Sequence, residues 1–261
     1  MPPVHVNPVE ALNLFEDAQK CMVRISEKVG KEEQPAGNGY VVYCNEDFTV
    51  VTAHPSYEFQ SLRNGKIIHG QVPTVTFCDG ARATDTMFIK MHHYVNLILA
   101  KIPHGDWEVA QPGKLSYHSR DVLLSVTSLY NKMVPFIGRV ISPRATVVDR
   151  KGEEIPSSTN TFTFDLPMAG SVREKEKVGF ENEFKLLKNQ VLGSPVLNLR
   201  RKMVGFVDRC GIKFQVKFGR RSEELESVIH GWLAGRDWEK AIADLTSSEF
   251  SAGGSKRAKR N

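Results

Sequence analysis

No stretch of the 261 residues stays apolar for long enough to cross a bilayer as a helix, so no membrane partner is expected. The opening Met1-Pro2-Pro3-Val4-His5-Val6-Asn7 has neither the basic region nor the apolar core of a secretory leader, which points to a soluble intracellular protein, nuclear or cytoplasmic. Cysteine is scarce. Cys21, Cys44, Cys78 and Cys210 show no Cys-x-x-Cys spacing and fall in or beside apolar strand-like runs, which argues against a disulfide framework and a cysteine metal site. They are expected to be reduced and mostly buried. A strong charge of one sign is also missing. Of the formal net charge of +5, four charges come from Lys256, Arg257, Lys259 and Arg260, leaving the body one charge from neutral. A basic face for nucleic acid is therefore not implied, and nucleic acid is expected only through the tail. The pair His92-His93, with His69 and His104 elsewhere, lacks a metal-binding helix motif, so neither a metal nor a cofactor is expected.

What the chain does have is an apolar fraction of 41%, ordinary for a globular core, and enough length for one large domain or two small ones. Asn7-Pro8 reads as a helix start, and Ala11, Leu12, Phe15 and Ala18 recur at helical spacing up to Lys20. From Cys21 the apolar period becomes two. Strand-like runs follow at Cys21 to Ser26, Gly37 to Tyr43, Phe48 to His54, Gly70 to Phe77, Ala81 to Met91 and Tyr94 to Ile102. Pro103 to Ser119, with Pro112 and Gly113, reads as a linker. Further strands are expected at Asp121 to Thr127, Phe136 to Ser142, Thr161 to Asp165 and Gly211 to Val216. The charge run Arg173-Glu174-Lys175-Glu176-Lys177 reads as an exposed insertion. Ser222 to Leu233 reads as a helix capped by Ser222 with the stripe Leu225, Val228, Ile229 and Trp232.

Three blocks carry a family resemblance. Gly37-Asn38-Gly39-Tyr40-Val41-Val42, a hairpin, then Val51-Thr52-Ala53-His54 resembles the Gly-x-Gly-[Phe/Tyr]-Val-[Val/Ile] and Leu-Thr-x-Ala-His of trypsin-like serine proteases of the high-temperature-requirement type. Asn96-Leu97-Ile98-Leu99-Ala100-Lys101-Ile102 resembles their Asp-[Leu/Ile]-Ala-Leu-Leu-Lys-[Ile/Val]. Gln190-Val191-Leu192-Gly193-Ser194-Pro195-Val196, followed by Met203-Val204-Gly205-Phe206-Val207, resembles Gly-x-Ser-Gly-Gly-Pro-[Val/Leu] and the strand after it.

The resemblance covers roughly Cys21 to Leu233 and implies an all-β protein of two six-stranded antiparallel barrels with short terminal helices. The implied division is an N-terminal helix over 1–20, a first barrel over 21–110, a second over 111–220, C-terminal helices over 221–248 and a flexible basic tail over 249–261. The PDZ domain of larger relatives has no room in what remains. His54 matches the family's general base. Asn96 stands where the family has the orienting aspartate, Leu192 where it has the nucleophilic serine, and Gln190 where it has the glycine of the oxyanion loop. Leucine cannot attack a carbonyl, and asparagine brings no charge to an imidazolium.

The implied function is that of an inactive protease relative acting as a peptide- or protein-binding regulatory module. Gln190, Gly193, Gly205, Phe206, Lys213 and Phe214 are its candidate groove residues. One alternative is an active endopeptidase pairing His54 with a displaced nucleophile, Ser194. Another is a nuclear protein associated with nucleic acid through Lys256, Arg257, Lys259 and Arg260, a cluster of the nuclear-localisation type.

Overall fold

The structure is a computed structural model describing residues 8–29, 31–57, 73–89, 95–114, 122–129, 132–142, 161–165, 190–210, 216–221, 231 and 234. The expected strand over 211–215, the helix over 222–233, the charged insertion, the tail, and the candidates Lys213, Phe214, His69, His92 and His93 fall outside or almost wholly outside these residues.

Helix α1 (Pro8–Lys20) comes first, followed by β1 (Met22–Val29), β2 (Glu32–Cys44), β3 (Thr49–Ala53), β4 (Thr74–Thr76), β5 (Arg82–Ala83), β6 (Thr86–Ile89) and β7 (Asn96–Ala100). The second group of strands is β8 (Val122–Leu129), β9 (Lys132–Ser142), β10 (Thr161–Asp165), β11 (Pro195–Asn198), β12 (Met203–Cys210) and β13 (Val216–Arg221). The first group forms one sheet in the order β5-β4-β1-β2-β3-β7-β6, and the second closes into a barrel in the order β10-β13-β12-β11-β8-β9. The all-β double barrel expected from the sequence is therefore present, with one difference of count. The first sheet has seven strands rather than six, because the arm after the Cys78-Asp79-Gly80 turn breaks at Thr84-Asp85 into β5 and β6. Its two pieces then pair with different neighbours: β5 with β4, and β6 with β7.

The interior of both sheets is one continuous apolar cluster. It runs from Val23, Ile25, Val51 and Ile98 of the first sheet to Leu123, Phe162, Phe164 and Val196 of the second, and Tyr57, Val191 and Leu192 also belong to it. Helix α1 lies against the outside of β8, burying Leu14 and Ala18 with Met22, Leu124, Val126 and Leu197. This corrects the expected stripe. Leu12 is 54% exposed, because it lies two residues, about 200°, around the helix from Leu14. The cysteines need a correction as well: Cys21 is buried, whereas Cys44 and Cys78 are only partly covered, and all three are free.

The segment between the barrels lies beside β12. Met203 N–H donates to Gln111 O (2.8 Å) and Gly113 N–H to Met203 O (2.8 Å), while Pro112 bridges to Met203.

Candidate functional site

Four strand ends meet where the two barrels face each other. His54 follows the last residue of β3, and Asn96 opens β7 directly across the ladder from Ala53. The turn 190–194 leads into β11, and Asp208 lies near the end of β12.

The chain after His54 is a tight turn. Pro55 takes its second position, where its fixed φ suits the bend, and Tyr57 N–H closes the turn on His54 O (3.0 Å). This folds Ser56 back over the imidazole. Ser56 N–H donates to His54 Nδ1 (3.1 Å), and Ser56 Oγ lies 2.6 Å from the same nitrogen. On the far side of the ring, Nε2 lies 2.8 Å from the Asp208 main-chain oxygen and 3.6 Å from its Oδ1. A carbonyl only accepts, so Nε2 carries the hydrogen and donates it, leaving Nδ1 as the acceptor for Ser56. His54 is 6% exposed, and both nitrogens are occupied.

Asn96, which the sequence resemblance would align with an orienting aspartate, does not hold the ring. Its Nδ2 donates to the main-chain oxygens of His54 (3.3 Å), Pro55 (3.4 Å) and Tyr57 (3.4 Å). It supports the turn that carries the histidine. The carboxylate nearest the imidazole belongs to Asp208 of the second barrel. Its other oxygen accepts from Arg209 Nε (3.1 Å), which offsets part of the cost of burying it at 5% exposure.

Leu192 sits in the apolar cluster at 9% exposure, and its carbonyl accepts from Asn38 N–H (3.1 Å) and from the Tyr57 hydroxyl (2.9 Å). Burial against apolar neighbours pushes the Tyr57 phenol far above its ordinary value, so it remains a donor. The next residue, Gly193, has φ of +76°, where a side chain would be strained, and a Cβ there would stand 2.1 Å from Asn38 O. The turn is closed by Ser194 N–H on Val191 O (3.2 Å) and tied to β12 by Gly193 N–H on Val207 O (2.9 Å) and Val207 N–H on Ser194 O (2.9 Å).

Ser194 has no contact with His54 among those described. Fully buried, its hydroxyl donates to Thr127 Oγ1 (2.8 Å) and accepts from Asn38 Nδ2 (3.0 Å). Asn38 is the hub of this network. Its Nδ2 also reaches Thr127 Oγ1 (2.8 Å) and the Gln190 carbonyl, and its Oδ1 accepts from Ser128 N–H (3.2 Å). One side chain of the first sheet thus satisfies groups on two segments of the second barrel, β8 and the turn 190–194.

Gln190, Gly193, Gly205 and Phe206 are all buried, with the Phe206 ring edge-on to His54 at 6.4 Å. Ser56 and Asp208 were not singled out by sequence. Ser56 is found by recognising His-Pro-Ser-Tyr as a turn that returns its third residue to its first; Asp208 carried no signal, because its approach depends on how the barrels dock. Among the described residues no three metal-binding side chains cluster, and no helix is long and apolar enough to cross a membrane.

Comparison with solved structures agrees with the fold. The crystal structure of Rv3671c from M. tuberculosis, as a serine-to-alanine mutant in an inactive form, matches with a TM-score of 0.56 at 13% identity, covering 90% of this chain and 97% of that one. The Rv3671c protease in its active form matches with a TM-score of 0.57 at 12% identity, covering 88% of each chain. The fold is the trypsin-like double barrel. At these identities the likeness concerns the fold alone. No protein-family model matches the chain, and no curated protein matches it in sequence.

Within the trypsin-like fold, the cleft between the barrels is where attacking oxygen, base and orienting carboxylate would have to converge. In this cleft His54 is buried, Leu192 presents an apolar side chain, and the buried Asp208 carboxylate approaches the imidazole from β12.

Proposed function

We propose that the protein uses a protease fold to bind an extended peptide segment and does not cleave it. The observation that carries this reading is the state of His54. Nε2–H is given to the Asp208 carbonyl, Nδ1 is occupied by Ser56, and Leu192, where the sequence resemblance would put the attacking residue, is a buried apolar side chain. A general base needs a free lone pair and a nucleophile within reach, and this cleft provides neither at the family's position.

Binding is supported by a strand edge. β12 pairs with β11 only as far as Phe206, whereas Arg209 and Cys210 pair with β13 on the other side. Among the described residues no strand covers the cleft side of this end of β12. A peptide added there in extended form gains main-chain hydrogen bonds that do not depend on a triad.

The test is incubation of the full chain with a degenerate peptide library, following bound peptides by affinity enrichment and products by mass spectrometry. Enrichment without new termini is expected, together with loss of binding when alternate amides of a bound peptide are N-methylated. New peptide termini made by the wild type and lost with His54→Ala would overturn the reading.

A further inference from the structure

Sequence comparison directs attention to Leu192 and Ser194, yet the hydroxyl actually beside the histidine is that of Ser56. Three relations meet there. Ser56 Oγ is 2.6 Å from Nδ1, close enough for proton transfer along an existing hydrogen bond. The opposite nitrogen is held by the Asp208 carbonyl at 2.8 Å, which fixes the tautomer that leaves Nδ1 basic. The Asp208 carboxylate, 3.6 Å from Nε2 and buried, stabilises the positive charge the ring acquires on taking the proton. Unlike the buried Ser194, Ser56 is exposed, so an acyl donor from solvent can reach it.

We propose that Ser56, His54 and Asp208 form an acyl-accepting site in which the imidazole works in the reverse sense, taking the proton at Nδ1 and facing the carboxylate through Nε2. The reading goes beyond peptide binding and does not depend on it. In the step, Ser56 Oγ attacks the acyl or phosphonyl centre and its proton moves to Nδ1. The bond from that centre to the leaving group breaks, and the leaving group departs with the bonding pair, taking a proton from the imidazolium or from water. Ser56 and His54 are the catalytic residues; Asp208 is a positioning residue.

The turn also limits the substrate class. Ser56 N–H is already given to Nδ1, so this amide is not available to stabilise an oxyanion. The substrates are consequently activated donors whose leaving group is already stable, such as aryl esters, acyl phosphates and thioesters, rather than peptide bonds. The charged or titratable groups facing the ring among the described residues are Asp208, with Arg209 on its outer oxygen, and Tyr57, whose ring lies 5.5 Å away.

The experiment is reaction of the full chain with a fluorophosphonate and, separately, with 4-nitrophenyl acetate, followed by peptide mapping. One adduct per chain on Ser56 is expected, with a burst of nitrophenolate of matching size. Ser56→Ala, a change at an exposed position, should abolish both while far-UV circular dichroism and the unfolding midpoint stay unchanged. His54→Gln, which removes the basic nitrogen, should likewise slow labelling of Ser56 at least about tenfold. Asp208→Asn keeps the main-chain carbonyl and removes the charge. It should slow labelling of Ser56 about tenfold while leaving the unfolding midpoint unchanged, a split that a purely structural role would not produce. No adduct on the folded wild type, or an adduct on Ser56 whose rate is independent of His54 and of Asp208, overturns the proposal. Adduct on Ser194 overturns it too and contradicts the non-cleaving reading; absence of all adducts leaves peptide binding standing.

Discussion

Leu192 stands where the sequence resemblance would put the family's serine, but placing a serine there is not expected to give a protease. Nε2 points at the Asp208 carbonyl, and Asn96 is engaged with three carbonyls of the His54 turn. Leu192→Ser should therefore give no detectable casein hydrolysis and lose about 1–3 kcal/mol of stability from placing a hydroxyl in an apolar site, read by urea unfolding. Measurable peptidase activity in this variant would show that the missing oxygen was the main defect. A second residue-scale expectation concerns the thiols. Burial pushes Cys21 up to about 12, so at neutral pH its thiol stays protonated. Because its folded value is raised, the stability gained by burying the neutral thiol is complete below the ordinary thiol range and is lost as pH rises toward about 12. Iodoacetamide at pH 8 should modify the partly covered Cys44 and Cys78 well before Cys21, with peptide mapping as the readout. Early loss of Cys21 would place it nearer solvent than the fold does.

Elements were legible to different depths in the sequence. Gly37 to His54 and Asn96 to Ala100 were readable because both faces of β3 and β7 are buried and short turns punctuate them. The break between β5 and β6 was not. It arises from which neighbour each half of the arm finds, a property of the closed sheet rather than of local sequence. Helix α1 shows the same division. Its existence follows from Asn7-Pro8 and the apolar spacing, but which side faces inward depends on where β8 lies. Leu14→Ala should cost about 2–4 kcal/mol, whereas Leu12→Ala should change stability by less than about 0.5 kcal/mol, both read by urea unfolding. Equal costs would mean that the helix is rotated from its described orientation. His54 was legible as the residue that ends a strand, while the groups that lie beside its ring were not. Ser56 depends on a turn and Asp208 on a second domain.

Besides the shared apolar cluster, polar side chains join the two barrels, and among the described hydrogen bonds Asn38 makes the most of these links. Asn38→Ala leaves Ser194, Thr127, Ser128 and the Gln190 carbonyl short of partners in a buried site, which should cost about 2–4 kcal/mol. Calorimetry of the wild type should give a single transition, with equal calorimetric and van't Hoff enthalpies. Separate melting of the barrels in the wild type would contradict the coupling assigned to this network. In Asn38→Ala, by contrast, a broadened or divided transition is the expected sign that the coupling has weakened. The same network also bears on how the chain is made. Asn38 is 152 residues from Gln190 and 156 from Ser194, so a growing chain exposes its amide long before the groups that satisfy it have been synthesised. Closing contacts of such separation is slow, and the expected kinetic signature is an early phase that forms the first sheet followed by a slower one that docks the second barrel. In stopped-flow refolding, Asn38→Ala should leave the early phase unchanged and slow only the later one.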